Sequence, residues 1–172
     1  MVDLFNFEDS EEQFKPAVRF GKVLPGYYVS NTGRIFSSKN GKIKEGFIHT
    51  SCRTDGTKRI KEVMHCFSIP RGLYEDHDYV RPDRKNCAKI PVSAHRLVAE
   101  TWKPIDENPP NSLKEDWDKA PESFKQWVKD TAIIDHIDDD PTNNHVDNLR
   151  WVTPKENQPI RKLKKNNSNE RP

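Results

Sequence analysis

An aspartate and a histidine stand side by side at positions 135 and 136, and an asparagine follows at position 157. Carboxylate and amide oxygens suit a hard cation such as Mg²⁺. An imidazole with a near-neutral pKa can take a proton from water. With Asp135 and Asn157 as metal ligands and His136 as general base, these residues would make a one-metal phosphodiesterase, because the ion polarises the phosphate and stabilises the departing 3′ oxygen.

The polar segment 137–148 also has two other interpretations. As a calcium loop it would begin at Asp138, but its sixth position is then Asn143 rather than Gly and its twelfth is Leu149 rather than Glu. The calcium pattern therefore fails at its two most diagnostic positions. A purely structural loop rich in Asx turns explains the same residues, and spacing alone does not separate it from a catalytic site.

The elements around this segment follow from its flanks. The apolar runs 133–134 and 149–152 predict two strands joined by a long loop. Residues 153–156, Thr-Pro-Lys-Glu, form a capping box that predicts the start of a helix. The local unit is therefore strand, loop, strand and helix. Asp135 and His136 end the first strand, where neighbouring side chains point to opposite faces.

Upstream, the chain predicts short strands separated by turn residues. The strands are expected over residues 27–30, 34–37, 42–50, 58–69 and 89–92. Asn31-Thr32-Gly33 and Asn40-Gly41 supply two of the turns. Ser93 is placed to cap a helix over 94–102, and Pro121 divides a partly helical stretch over 111–130.

Charge changes sign along the chain. The net charge is −4 over residues 1–16, +9 over 17–103, −7 over 104–157 and +4 over 158–172. A basic region beside an acidic one suits a polyanion-binding surface next to a metal site, although solvated faces of opposite sign explain the same pattern.

Cysteine and hydropathy patterns exclude several classes of protein. The three cysteines form no C-x-x-C pair, so a disulfide framework or a zinc ribbon is not expected. No stretch approaches the roughly 18 apolar residues of a membrane span, and the first 20 residues lack a secretory signal. These patterns predict a cytoplasmic protein without a membrane partner.

The polar segment resembles the HNH motif of phage-type homing endonucleases, the ββα-metal or His-Me finger nucleases. The resemblance rests on Asp135-His136-x-Asp138, Asn143-Asn144, the run Asn148-Leu149-Arg150-Trp151-Val152-Thr153, and Asn157. Residues 28–37, Tyr-Val-Ser-Asn-Thr-Gly-Arg-Ile-Phe-Ser, resemble the DNA-contacting module that precedes HNH in that family. Residues 95–99, His-Arg-Leu-Val-Ala, resemble the link between the two.

The resemblance implies a role for each matching residue. Asp135 and Asn157 take the metal-ligand positions, and His136 takes the position of the general base. Asn148 takes the position that pins the loop across the hairpin and so orients His136. The implied cofactor is Mg²⁺, with Mn²⁺ as the alternative ion. Asp139 departs from the pattern, because family loops commonly have Gly where a positive φ would be needed.

The combined interpretation is an α+β protein with an N-terminal antiparallel β DNA-contacting region followed by a ββα-metal HNH unit. The predicted domains are an acidic flexible arm (1–16), the β-rich DNA-contacting region (17–92), a helical link with the HNH nuclease unit (93–157) and a basic tail (158–172). If the protein is phage-encoded, its compartment is the host cytoplasm.

The predicted function is that of a metal-dependent endonuclease that nicks double-stranded DNA as a monomer or weak homodimer. Contacts to DNA are predicted from Arg34, Lys39, Lys42, Lys44, Arg53, Lys58, Arg59, Lys61, His95 and Arg150. Packing against the hairpin is the alternative for His95, and a surface salt bridge is the alternative for Arg150. A catalytically inactive DNA-binding protein on the same scaffold is the main alternative function, and a structural zinc-binding adaptor is a more distant one.

Overall fold

The computed structural model describes residues 12–44, 46–54, 59–74 and 89–157. These residues form nine β-strands in three antiparallel sheets, together with helices α1 (Ala94–Trp102) and α2 (Glu122–Thr131) and the start of a final helix (154–157). No helix in these ranges is long and apolar enough to cross a membrane. The mixed α+β class is the predicted one.

The first sheet contains four strands in sequence order. They are β1 (Phe14–Arg19), β2 (Lys22–Ser30), β3 (Ile35–Ser37) and β4 (Lys42–Lys44). Turn residues 31–33 join β2 to β3, as their composition predicts. Residues 14–16, predicted to lie in the flexible arm, belong to β1 instead, because the buried Phe14 pairs with Ser30 of β2.

The second sheet contains β5 (Phe47–Thr54), β6 (Arg59–Pro70) and β7 (Lys89–Ser93). The prediction of one strand over 42–50 is wrong, because β4 lies in the first sheet and β5 in the second. Gly46 stands between them, and a Cβ added there would lie 1.9 Å from Nε2 of His65. A residue with a side chain does not fit where the chain passes from one sheet to the other.

Helix α1 is the centre of the core. Its residues Leu97 and Val98 have no exposed surface, and α1 contacts strands of all three sheets. Ser93 stands at the predicted N-cap, but its side chain makes no capping hydrogen bond. Near the other end of α1, the Thr101 hydroxyl accepts from Val18 N at 2.9 Å, and Trp102 Nε1 donates to the Val29 carbonyl at 3.2 Å. These bonds fix α1 against the first sheet.

The third sheet is the hairpin of β8 (Ile133–His136) and β9 (Leu149–Val152), as predicted. The capping box that follows is formed in both directions. The Thr153 N–H donates to Glu156 Oε2 at 2.6 Å, and the Glu156 N–H donates to the Thr153 hydroxyl at 3.2 Å. Helix α2 begins after Pro121, which confirms the predicted division of the 111–130 stretch.

Candidate active site

The β8–β9 hairpin places Asp135 opposite Arg150 and His136 opposite Leu149. Because side chains alternate along a strand, Asp135 and His136 leave β8 on opposite faces. The Asp135 carboxylate is buried at 7% exposure, whereas the imidazole of His136 is half-buried. The hairpin therefore presents a carboxylate and an imidazole at one end of a short strand, as the sequence predicts.

Arg150 is held by Asp135 within the hairpin. Its Nε and Nη2 donate to Asp135 Oδ2 at 3.0 and 2.8 Å. The prediction for Arg150 was a phosphate contact, with a surface salt bridge as the alternative. The structure contains an ion pair, although its acidic partner is buried rather than at the surface. The guanidinium thus lies directly beside the predicted metal ligand.

Asn144 orients the predicted base. Its Nδ2 donates to the Thr142 carbonyl at 3.0 Å, which turns Oδ1 toward His136 Nε2, 3.1 Å away. An amide oxygen only accepts, so Nε2 of a neutral His136 carries the hydrogen and Nδ1 keeps its lone pair. Asn144 is 3% exposed and cannot readily turn away. The arrangement leaves Nδ1 as the atom that can take a proton.

His95 packs on the other side of that imidazole. The two ring centroids are 5.3 Å apart, and the planes meet at 73°, an edge-to-face contact. Burial lowers the pKa of His95 to about 3, with contributions from the charges of His136, Arg96 and Arg19. His95 is therefore neutral near pH 7, and this geometry corresponds to the predicted alternative of packing against the hairpin.

Asn148 pins the loop, although it does not hydrogen-bond to the base directly. Its Oδ1 accepts from the Asp138 N–H at 3.0 Å, and its Nδ2 donates to Asp138 Oδ1 and the Asn143 carbonyl, each at 2.8 Å. Asn143 itself donates to Asp138 Oδ2 at 2.6 Å. These bonds close the loop across its base. Closing the loop is the role that the resemblance implies for Asn148.

Asp138, where a calcium loop would begin, and Asp140 are both used within the loop itself. Hydrogen bonds from the Asp140 N–H, Asn148 and Asn143 lower the pKa of Asp138. The hydroxyl and N–H of Thr142 lower the pKa of Asp140 in the same way. These are Asx-type turns, so this part of the loop follows the structural alternative. Asp139 has φ of +69°, the left-handed conformation in which Gly would be the less strained residue.

His145, the other histidine of the loop, is a poorer base. Its Nδ1 accepts from the Asp147 N–H at 3.2 Å, so the lone pair on that nitrogen is already used. Its side chain is 40% exposed and lies outside both strands. The geometry therefore favours His136.

Asn157 lies in the first turn of the final helix, and its exposure is 7%. Glu156 anchors that turn, because its carboxylate accepts from the Thr153 N–H and also from the Ser112 N–H at 2.9 Å. Burial acts to raise the pKa of Glu156, but the hydrogen bonds from Thr153 and Ser112 outweigh it and lower that pKa. The capping box and the segment before α2 thus fix the backbone that carries Asn157.

The donor chemistry of Asp135 and Asn157 fits a hard divalent ion. Both are buried oxygen donors, one on β8 and one on the helix that follows β9. Within the described ranges, no three His, Cys, Asp or Glu side chains gather into a metal-binding group. One carboxylate and one amide suit Mg²⁺, which keeps several water ligands and binds phosphate oxygens rather than relying on a protein cage.

The predicted DNA-contacting residues are unevenly placed. Lys39 and Lys42 are exposed, and Lys44 lies 5.9 Å above the ring of Tyr27. Arg34 forms an ion pair with Glu12. Its Nε donates to Glu12 Oε1 at 3.1 Å, and its Nη2 lies 2.7 Å from Glu12 Oε2. Four further basic residues were predicted to contact DNA. Lys58 lies outside the described residues. For Arg53, Arg59 and Lys61 the structure gives only their places in β5 and β6.

The sequence alone indicates no role for Asn144. The Asn143-Asn144 pair is visible in the motif, but nothing in its spacing distinguishes the residue that reaches His136. Asn144 lies eight positions after His136 in the sequence. It reaches the imidazole only because the loop closes, and this closure is not visible in the sequence.

Comparison with known proteins gives two matches. The family model described as HNH endonuclease matches residues 122–158. The solved structure of the HNH homing endonuclease I-HmuI, whose subject is DNA binding and cleavage, aligns with 24% identity and a TM-score of 0.42. That alignment covers 87% of this chain and 59% of the other, so the chain spans less than two thirds of the protein it resembles. No curated protein matches the sequence. The segment matched by the HNH endonuclease model holds α2, the β8–β9 hairpin and the start of the final helix.

Proposed function

We propose that the protein is a metal-dependent DNA endonuclease of the homing type, which hydrolyses one phosphodiester bond at a time. The observation that supports it most directly is the hydrogen bond from His136 Nε2 to Asn144 Oδ1 at 3.1 Å, within the segment matched by the HNH model. A histidine held in this tautomer is suited to proton removal from water.

In the proposed mechanism, His136 Nδ1 takes a proton from the water that attacks the phosphorus. Asn144 keeps the opposite nitrogen protonated, and His95 restricts the ring on its other side. Asp135 and Asn157 would hold a divalent ion, Mg²⁺ or Mn²⁺. Such an ion supplies Lewis-acid stabilisation of the phosphate and the leaving oxygen when bound.

Nicking follows from the number of sites. The described residues contain one Asp135-His136 pair with one Asn157, and one such site performs one in-line hydrolysis. The two scissile bonds of a duplex lie on antiparallel strands, so a monomer would have to release its DNA and rebind it in the opposite orientation. We therefore expect a monomer, or a weak homodimer, that produces nicks first.

Supercoiled plasmid provides the test. With Mg²⁺ we expect nicked circles to accumulate before linear DNA, and a chelator should stop the reaction. His136→Ala should lower the rate by about 10²-fold or more with little change in DNA affinity, since a general base acts mainly in the transition state. His145→Ala is the matched control from the same loop and should cleave at nearly the wild-type rate.

Three results would contradict parts of this proposal. Near-normal cleavage by His136→Ala together with loss in His145→Ala would move the base to His145. Linear product formed directly, at limiting enzyme, would mean that two active sites act together. DNA binding without cleavage under any divalent ion would favour the inactive DNA-binding scaffold.

The metal assignment is tested separately. Asp135→Ala should require much more Mg²⁺ for cleavage, because it removes the only charged donor of the pair. Asn157→Asp should retain part of the activity, because it keeps an oxygen at the same place. If Mg²⁺ binding, measured by calorimetry on the protein alone, is unchanged in Asp135→Ala, the ion is bound elsewhere.

A further inference from the structure

The turn between β2 and β3 touches the catalytic loop. This turn, residues 31–33, belongs to the first sheet, whereas the loop joins β8 to β9. The Val146 N–H donates to the Asn31 carbonyl at 2.7 Å, which ties the two backbones together. Two segments from distant parts of the chain therefore meet next to the residue that holds His136.

Gly33 makes the closest approach. Its φ is +93°, and a Cβ added to it would lie 2.7 Å from Asn144 Cβ and 3.3 Å from the Asn144 carbonyl oxygen. Real Cβ atoms essentially never come within 3.0 Å of another heavy atom. Only a hydrogen fits in this space, so the Gly33 backbone lies directly against Asn144.

These contacts form a connected series that ends at the imidazole. Gly33 and the Asn31–Val146 hydrogen bond fix the backbone around Asn144, and Thr142 fixes the direction of its amide. The amide oxygen then holds Nε2 of His136. Gly33 and Asn144, the first two residues of the series, are both buried, so a displacement at Gly33 has little room to be absorbed before it reaches the base.

We propose that the β2–β3 turn is a positioning element of the active site, with Gly33 and Asn144 as positioning residues that set the tautomer and orientation of His136. This inference rests on the proposed function, because it concerns the base of that reaction. It adds that the first sheet contributes to catalysis directly. The turn is itself tied to β1 through Gln13, whose N–H donates to Asn31 Oδ1 at 2.9 Å.

The test compares Gly33→Ala with Gly41→Ala. Gly41 has φ of +61° in another turn of the same sheet, and an added Cβ there meets nothing within 4 Å. Both substitutions strain a left-handed backbone, but only the first inserts a methyl group against Asn144. A loss in Gly33→Ala that Asn144→Ala reproduces reports on the contact rather than on the turn conformation, because Asn144→Ala leaves residue 33 unchanged.

Two readouts are needed. The first is the tautomer of His136, read from imidazole ¹H–¹⁵N correlations of the metal-free protein. We expect the Nε2–H form in the wild type and in Gly41→Ala, and a mixture of tautomers in Gly33→Ala. The second is the nicking rate, which should fall by about 10- to 100-fold in Gly33→Ala and by less than about 2-fold in Gly41→Ala.

Asn144→Ala provides an independent variant should Gly33→Ala fail to fold. It keeps the Cβ that faces Gly33 but removes the acceptor, so it should give the mixture of tautomers and the rate loss while the turn stays in place. If either folded variant retains both the wild-type tautomer and the wild-type rate, the proposal is overturned. The tautomer is measured without DNA, so the two proposals can fail separately. A wild-type protein that does not cleave DNA would reject the proposed function. The tautomer of His136 in the variants would still test whether the turn positions the imidazole.

Discussion

Arg150 and Asp135 face each other across the β8–β9 hairpin, and the guanidinium donates two hydrogen bonds to a single oxygen of the buried carboxylate. This ion pair compensates the charge of Asp135 within the protein itself. An ion that uses the same oxygen must displace Arg150 or share the carboxylate with it. At the proposed metal site, the guanidinium would therefore oppose binding of the ion while it stabilises the metal-free protein.

Arg150→Gln is expected to separate these effects. In a chelator, the variant should be less stable than the wild type by about 1–3 kcal/mol, because a buried carboxylate loses its cation. The stabilisation that Mg²⁺ gives should become larger, because the ion no longer competes with the guanidinium. Thermal unfolding with and without Mg²⁺ measures both quantities. Asp135→Asn is the control and should lose the Mg²⁺-dependent gain; an equal gain in all three proteins would contradict the competition.

Asn148→Ala should loosen the catalytic loop. It removes three hydrogen bonds that close the loop, two of them to Asp138. Because the base is oriented by the same loop, we expect a 10- to 100-fold slower nicking reaction, the range typical of residues that orient catalytic groups.

A double-variant cycle identifies the bond partner. Asp138→Ala combined with Asn148→Ala should lower the free energy of unfolding by less than the two single changes together, because each removes the same hydrogen bond, from Asn148 Nδ2 to Asp138 Oδ1. Urea unfolding of the four proteins measures this. The exposed Lys119 serves as the control, because Lys119→Ala should add independently to Asn148→Ala. Additive behaviour of the Asp138 pair would show that the two side chains are not coupled.

His95 should make the stability of the protein depend on pH. Its pKa is about 3 in the folded protein, against an ordinary value of 6.5. Below pH 6.5 the unfolded chain therefore binds a proton that the native protein does not, and the free energy of unfolding falls as the pH decreases toward 3. The slope approaches about 1.4 kcal/mol per pH unit.

His95→Phe tests this dependence. Phenylalanine keeps an aromatic edge against His136 but cannot titrate. We expect its stability relative to the wild type to rise steadily between pH 6.5 and pH 4.5. Other titrating groups act in both proteins and largely cancel in the difference; one of them is Glu100, whose pKa is raised by burial against the effect of Arg19. Parallel stability curves would show that His95 is protonated in the native protein.

Glu12 should weaken DNA binding by occupying Arg34. Its two carboxylate oxygens bind Nε and Nη2 of the guanidinium. A phosphate would bind the same two nitrogen atoms in the same bidentate geometry. Glu12→Gln is expected to increase DNA affinity several-fold and to steepen the dependence of log K on log salt by up to about one unit, since one more cation becomes available. Glu107→Gln, an equal charge change at an exposed position, is the control, and an equal effect there would show general electrostatics only.

The elements that the sequence predicts well depend on local chemistry. The residues Asn31-Thr32-Gly33 are sufficient to predict the turn between β2 and β3. The capping box predicted at 153–156 is present, with both of its hydrogen bonds formed. Both involve residues within a few positions of each other, so their physical causes are visible in the sequence. The places of Asp135 and His136 at the end of β8, and of Asn157 in the first turn of the final helix, are predicted for the same reason, because these residues lie within one short unit.

The features that the sequence does not predict depend on tertiary contact. At Gly46, between β4 and β5, the ring of His65 from another strand fills the space where a side chain would lie. The pairing of Arg150 with Asp135 requires the register of the hairpin, which is set by the closure of a long loop. The role of Gly33 requires that two segments far apart in the chain meet, and no local pattern contains that information.

The contact of Asn31 and Gly33 with the catalytic loop also has a consequence for folding order. The β8–β9 hairpin is local in sequence and can close quickly, whereas contacts between distant segments close late. During synthesis the turn emerges long before the loop that it must meet. We therefore expect chemical competence to be acquired in one of the last folding steps. By the proposed mechanism, a partly folded chain would already hold His136, Asp135 and Asn157 and would not cleave DNA until the first sheet has docked.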